Sequence, residues 1–363
     1  MIPFMSKRTV FIDVLPLFTR QSGVALITLL LVFAIASVIA SKVIVAKVLD
    51  TQRTTGLINR TQAYYYALAT EELAILALQE DIKNDSNCNA EKDVCVDHLL
   101  EESWAMGPYQ YEIDGIGLST VKIIDLNRFY NLNNIVSGGR GVNEDELERF
   151  RGLLRGLELD DRLADNLRDW LDSDDEVHGD QSDGGAYERL QPGYRVANRT
   201  LVDVSELRLI NGFSQQVMNS LLPHVTVLPP QGSMITPINI NTSSMPTLMS
   251  LTKSRSGINS AEQEGISAGD AENIIAERSP YRSVQELIEL GVVEELNLYT
   301  VISEQLKPAR MTVQSQYYQI NIITDYAGSR AYLSTVVQFS ESDSVDRFSI
   351  LSRDESNNAA RFL

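Results

Sequence analysis

RQSGVALITLLLVFAIASVIAS, residues 20–41, sets one glycine directly against an apolar run that continues to Ser41. From Val24 onward the run carries no charge. About 18 residues at about 1.5 Å rise span about 27 Å, close to the thickness of a bilayer's hydrocarbon core. The run is therefore long enough to cross a membrane. Lys7, Arg8 and Arg20 precede it, opposed only by Asp13, so the positive-inside tendency keeps residues 1–23 in the cytoplasm and exports the body beyond the run. Lys42 and Lys47 on the far side can snorkel toward the interface.

Downstream, no proline interrupts the chain between Pro16 and Pro108, and Leu57, Tyr64, Leu68 and Ile75 recur on one helical stripe. The pattern predicts one helix of about 55–60 residues beginning in the apolar run. A conventional signal peptide is the competing reading, with cleavage after Ala34-Ile35-Ala36 or Val38-Ile39-Ala40 and a mature start near Ser37 or Ser41. That cut would fall inside the helical pattern. A plain single-span anchor is the other alternative.

A basic leader ending in glycine, an apolar stretch and its amphipathic continuation resemble the class III signal of type IV pilins and type II secretion pseudopilins. The resemblance implies that a prepilin peptidase cuts after Gly23 and methylates the new N-terminus, Val24. Most pilins carry a glutamate at the fifth mature position, where this chain has Thr28. That departure, the start RQSGVALITLLLVFAIAS and the chain length resemble the general secretion pathway protein K family, a large minor pseudopilin of the type II secretion system. Membership implies one inner-membrane span and a periplasmic body that is drawn into a pseudopilus at or near its tip. The implied partners are the prepilin peptidase, the major pseudopilin and two other minor pseudopilins in a tip complex, which starts assembly and limits length.

The chain has 363 residues, 44% of them hydrophobic, and a net charge of −18. With a basic leader set aside, the body is more acidic still, which disfavours nucleic acid and anionic lipid as partners. Its two cysteines, Cys88 and Cys95, sit in the polar stretch NDSNCNAEKDVCVDH. In an oxidising compartment these pair, closing a small loop worth about 2.5 kcal/mol. His98 alone adds too few ligands for zinc.

Strand signals come from both ends of the body. WAMGPYQYEIDGIGLSTVKIIDLNRF alternates around Asp114-Gly115 and Gly117 as a hairpin, and QYYQINIITDYAGSRAYLSTVVQFS turns at Tyr326-Ala327-Gly328, with RFSILSR as a third C-terminal strand. The expected fold is α+β: a pilin-like long N-terminal helix packed on a small antiparallel sheet, with a large all-α domain inserted between strands. The expected boundaries are a leader at 1–23, the long helix and first strands at 24–126, the inserted domain at 127–308 and the completing strands at 309–363.

The inserted region echoes itself. YNLNNIV followed by two helical stretches matches ININTSSMPTLMSL followed by two more, with Asn131, Asn133, Asn239 and Asn241 placed for caps or turns. The second copy resembles the helix-hairpin-helix units of DNA-binding and DNA-uptake proteins, and one alternative function is a membrane-anchored protein of a DNA-uptake or type IV pilus apparatus. The hairpin stretches LINGF and LGVVEEL lie among acidic residues, whereas phosphate binding needs Lys or Arg beside the backbone amides. No nucleic acid partner is expected.

DWLDSDDEVHGDQSDGGAYE, residues 169–188, concentrates Asp172, Asp174, Asp175, Glu176, Asp180, Asp183 and Glu188 on a glycine-containing loop. Hard oxygen donors in this number suit Ca²⁺, although Val177 and the glutamate spacing rule out an EF-hand loop. A solvated acidic loop is the bland alternative. Resemblance to protein K, whose pattern runs Asp-Trp-(Ile/Leu)-Asp-x-Asp and then Gly-Ala-x and Tyr, implies a structural calcium site, with Asp172, Asp174, Asp175 and Glu188 as ligands and Asp183 as a further one. His98, His178 and His224 lie in unrelated local settings, and the chain has neither a nucleophile motif nor a phosphate-cradling loop, so no catalytic residue is expected. A secreted calcium-dependent enzyme is the remaining alternative. Trp104 and Trp170 read as core.

Overall fold

The computed structural model describes residues 22–87, 96–99, 102–136, 141–173, 178, 187–189, 191–230, 234–251, 266–276, 278, 280–289, 310–340 and 347–356. Helix α1, Ser22–Asn87, runs 66 residues without a break, longer than its sequence pattern suggested. The chain divides into two compact units within this helix, Met1–Asn59 and Arg60–Leu363. In the first, the apolar side chains stand exposed, Val24 at 66% and Phe33 at 72%. Leu57 is also exposed, while Tyr64 and Leu68 are half-buried and Ile75 is buried, so the predicted stripe becomes a packed face only in the second unit.

In that unit, α1 buries Ala63, Ala67, Thr70, Glu71, Ala74, Ile75 and Leu78, the spacing of one helical face. Three alanines let the helix approach a sheet of strands β1 (Tyr109–Ile113), β2 (Gly117–Asp125), β7 (Tyr317–Tyr326), β8 (Ser329–Ser340) and β9 (Arg347–Asp354). The strands are antiparallel in the order β1-β2-β7-β8-β9, and they present Val121, Ile123, Tyr318, Ile320, Ile322, Leu333 and Val337 to the helix. Both hairpins turn through left-handed residues, Asp114 and Gly115 in one, Ala327 and Gly328 in the other. Buried polar links fix the helix on the sheet: Thr70 donates to the Ser119 hydroxyl at 2.8 Å, and the Glu71 carboxylate accepts from Thr335 and from Arg353 Nε at 3.1 Å.

Because β2 pairs with β7, the chain between Asp125 and Tyr317 leaves the sheet and returns to a neighbouring strand. This stretch is not purely helical. Two short parallel pairs interrupt it: β3 (Tyr130–Asn131) with β4 (Val225–Thr226), and β5 (Ile238–Asn239) with β6 (Met311–Thr312). Around them lie α2 (Glu144–Gly156), α3 (Leu163–Leu171), α4 (Gln215–Leu221), α5 (Met245–Met249), α6 (Ala268–Ala276) and α7 (Val284–Glu289). Two-residue strands carry too little alternation to be read from sequence.

The two stretches that echo each other in sequence carry matching local devices. In each half the first short strand ends on an asparagine, Asn131 or Asn239, whose side-chain oxygen accepts from the backbone N–H two residues on. The second asparagine of each half then clamps a distant backbone. Asn133 donates to the Leu201 and Leu228 carbonyls and accepts from Leu201 N–H, and Asn241 donates to the Tyr281 carbonyl and accepts from Tyr281 N–H, all at 2.9–3.0 Å. These amides satisfy backbone groups that burial would otherwise leave unpaired. Both halves share one apolar core, including Phe150, Leu153, Trp170, Leu248, Ile274 and Tyr281. Asn127, fully buried, ties this region to the sheet: it donates to the Pro237 carbonyl and accepts from the N–H groups of Gln316 and Tyr317.

Candidate functional site

Gly23 and Val24 occupy the first turn of α1, and the leader before Ser22 lies outside the described residues. Thr28 donates its hydroxyl to the Ala25 carbonyl at 2.9 Å, so the position where most pilins carry a carboxylate is a neutral group satisfied within its own helix.

The acidic loop begins at the C-terminal end of α3. This helix buries Leu163, Ala164, Leu167, Trp170 and Leu171, and its register turns Asp169 and Asp172, three residues apart, to one side. Asp169 is buried and accepts from the backbone N–H of His178 at 3.0 Å, with His178 Nδ1 3.3 Å from its other oxygen. Asp172 is 3% exposed, and its carboxylate lies 3.7 Å from Arg168 Nε. Ligand atoms of Asp169, Asp172 and His178 all fall within 4.8 Å of one another. Glu188 pairs with Arg195 at 3.3 Å on an exposed surface, a contact that solvent screens to little net value. Asp174, Asp175 and Asp183 lie outside the described residues, as do Glu176 and Asp180 and the cysteines Cys88 and Cys95.

The structure thus joins Asp172 to two residues that sequence reading passed over. Asp169 carries a usable signal in retrospect, the three-residue helical spacing to Asp172. His178 carries none, because its approach depends on the path of the loop. The two buried carboxylates fit a hard divalent cation such as Ca²⁺, whereas the His178 ring nitrogen is engaged by Asp169.

Aromatic packing holds the ends of this loop. Trp170, 3% exposed, meets the edges of Tyr187 and Tyr194 at 5.6 and 6.3 Å, as its core assignment requires. Burial pushes the Tyr187 phenol above its usual range, so it stays neutral and accepts from Asn211 N–H at 3.1 Å. Tyr194 donates to the Leu209 carbonyl at 2.7 Å. The loop is therefore bound to the hairpin Ile210–Phe213, where Gly212 adopts φ +87°, and a Cβ there would stand 2.6 Å from Leu163. Acidic Asp203 and Glu206 flank this hairpin, and Arg199 is paired with Glu206 at 3.2 Å.

A long helix that begins in an exposed apolar segment and continues onto a small antiparallel sheet is the architecture of a pseudopilin. The family model for type II secretion system (T2SS) protein K matches residues 128–230, the stretch that contains the acidic loop. Type II secretion system protein K of Pseudomonas aeruginosa is 36% identical over 263 residues, 71% of this chain and 72% of that protein. The Aeromonas hydrophila protein of the same name is 28% identical over 335 residues, 89% and 94% of the two chains. The fold matches a chain of the crystal structure of the GspK-GspI-GspJ complex from enterotoxigenic Escherichia coli, with a TM-score of 0.61 at 22% identity, covering 84% of this chain and 99% of that one. The chain belongs to the type II secretion system protein K family, and it is a minor pseudopilin.

Proposed function

We propose that this chain caps the pseudopilus of the type II secretion system, where it helps start assembly and limit length during protein export across the outer membrane. The observation that carries the reading is Thr28. A subunit without the carboxylate that neutralises the amine of the subunit above it is suited to the position with nothing above. The bulk of residues 127–308, read as one domain inserted between β2 and β7, argues the same way, since so wide a body does not stack within a shaft. Val24–Ser41 is the inner-membrane anchor and the body after α1 is periplasmic. Prepilin peptidase cuts after Gly23 and methylates Val24. Two other minor pseudopilins form the tip complex with it, a reading supported by the GspK-GspI-GspJ composition of the matching structure, and the major pseudopilin builds the shaft beneath.

The acidic loop holds a structural Ca²⁺, with Asp169 and Asp172 supplying oxygens beside Asp174, Asp175, Asp183 and Glu188; the ion supplies no chemistry beyond tying the loop to α3. In the oxidising periplasm Cys88 and Cys95 pair. The role is mechanical, without catalysis.

The deciding experiment is the N-terminal sequence and mass of the chain from cells with and without prepilin peptidase. A start at methylated Val24 only in the presence of the peptidase is expected. A start near Ser37 or Ser41, or an uncut leader in both strains, overturns the pseudopilin reading of the processing site.

A further inference from the structure

A polar junction lies where the end of β2 meets both stretches of the inserted region. Residues 239–244 wrap there on residues 125–128: Asn239 N–H donates to the Asn127 carbonyl at 2.9 Å, and the Thr242 hydroxyl donates to Asp125. Two further side chains reach the end of that turn. Arg278, two residues past α6, donates from Nη2 to the Ser243 carbonyl at 3.0 Å, and His224 Nδ1 shares a hydrogen bond with the Ser244 hydroxyl at 2.8 Å. Arg128 rises from the 125–128 segment itself, its guanidinium 5.4 Å from the centre of the Phe129 ring.

Three donors at this junction are left over. The hydroxyl of Ser243, a residue 2% exposed, and the Nε groups of Arg128 and Arg278 are buried and have no hydrogen-bond partner among the described residues. Positive charge is left over as well. The Asp125 charge acts on Arg128, but its oxygens already accept from Thr242 and from Asn127 N–H, and no carboxylate among the described residues forms an ion pair with either arginine. Burial, opposed by Tyr281 and assisted by the Arg128 charge, lowers the Arg278 guanidinium to about 10. Burial and the same charge hold the His224 imidazole below its ordinary range, so it adds no cation at neutral pH. Half-buried cations without a counter-ion are costly, and orphaned donors beside them mark a place for an ion.

We propose that this junction binds a small free oxyanion of the phosphate class, held by Arg128, Arg278 and the Ser243 hydroxyl. The donors come from three separate stretches of chain, which suits an ion whose oxygens point in several directions, whereas a planar carboxylate is gripped by a single guanidinium fork. The depth of Ser243 favours a free ion over a phosphate esterified in a lipid headgroup or a nucleic acid, and the half-buried Arg128, His224 and Arg278 keep the junction in touch with solvent. The bound ion offsets the surplus charge and ties the end of β2 to the turn after β5 and to the chain after α6. The consequence is a joint between sheet and inserted region that tightens as the anion concentration rises.

The test is the binding of inorganic phosphate to the full chain in detergent, followed by ³¹P line broadening and by the thermal midpoint. A chelator is present, so that no calcium ion at the acidic loop recruits phosphate. Saturable binding at one site is expected, with a midpoint that climbs with phosphate concentration. Arg278→Gln and Ser243→Ala should each weaken binding about tenfold or more. Where Arg278→Gln lowers the midpoint already in phosphate-free buffer, Ser243→Ala, the milder change, decides. A wild-type signal that does not broaden, or binding that neither substitution weakens, overturns the site. Acetate or glycerol phosphate bound as tightly as phosphate overturns the assignment to a free tetrahedral ion. Binding that appears only with calcium belongs to the acidic loop and overturns it as well.

Discussion

Residues 130–226 and 238–312 share a set of local devices and differ in the link that carries the acidic loop. Each is bracketed by a parallel strand pair that joins its first residues to its last, each clamps a distant backbone with its second asparagine, and each follows the clamped residue with the same cap: Glu206 accepts from Val202 N–H as Glu286 accepts from Arg282 N–H. Between the second long helix and the clamped residue, however, the first half carries residues 172–200 and the second only 277–280. The acidic loop is that difference. The shared devices recur in both stretches, and the longer link of the first is held at its ends by the packing of Trp170 on Tyr187 and Tyr194.

The shared clamps are the place to break the comparison hardest. Asn133→Ala strands the Leu201 N–H and two buried carbonyls and should cost about 3–4 kcal/mol; Asn241→Ala strands one N–H and one carbonyl and should cost about 2–3 kcal/mol. Denaturation midpoints of the full chain in detergent measure both. The reverse order would mean that the two clamps are not equivalent parts. The next effect belongs to the insertion. At a hundredfold excess of Ca²⁺ over its dissociation constant, chelation should cost about 2–3 kcal/mol, and Asp172→Asn should melt at the chelated temperature with or without calcium. Calcium dependence that survives Asp172→Asn would separate the ion from the end of α3. Gly212→Ala should cost about 2 kcal/mol through a left-handed backbone and a Cβ against Leu163, and it should loosen the insertion as well, because Tyr187 and Tyr194 bond the same hairpin.

Much of the frame was legible in the sequence. The long helix, both hairpins and β9 follow from periodicities that act over many residues, and the asparagine echo marked two stretches with the same local hydrogen bonds. What those asparagines do was not legible, because Leu201 and Tyr281 lie 68 and 40 residues from their clamps. Charge was the least readable property. Within the charge-rich EDELERFRG, Glu146 and Arg149 are fully buried, paired at 3.1 Å, and joined by Arg310 at 3.2 Å from far along the chain. The candidate cation site was half legible, Asp172 from the density of carboxylates but Asp169 only through the register of α3. The approach of Glu102 to Asp81 and Asp85 was invisible, since residues so far apart in sequence share no local pattern.

The smallest effect gives the finest test of equivalence. Asp203 and Ser283 cap the two matching turns: Asp203 accepts from Ser205 N–H at 2.8 Å, and Ser283 accepts from Glu286 N–H at 3.1 Å. Truncating either to alanine should cost about 1 kcal/mol. The two caps differ in one property, because Asp203 brings a full negative charge to a helix start and Ser283 brings a dipole. That charge is worth a few tenths of a kcal/mol at low ionic strength and is screened by salt. Asp203→Ala should therefore cost slightly more than Ser283→Ala in dilute buffer, and the two costs should converge near 1 M salt. A gap that persists in high salt cannot come from the charge. It would point to the longer link that precedes this turn in the first stretch, and would show that the loop leans on the turn it precedes as well as on the hairpin beyond it.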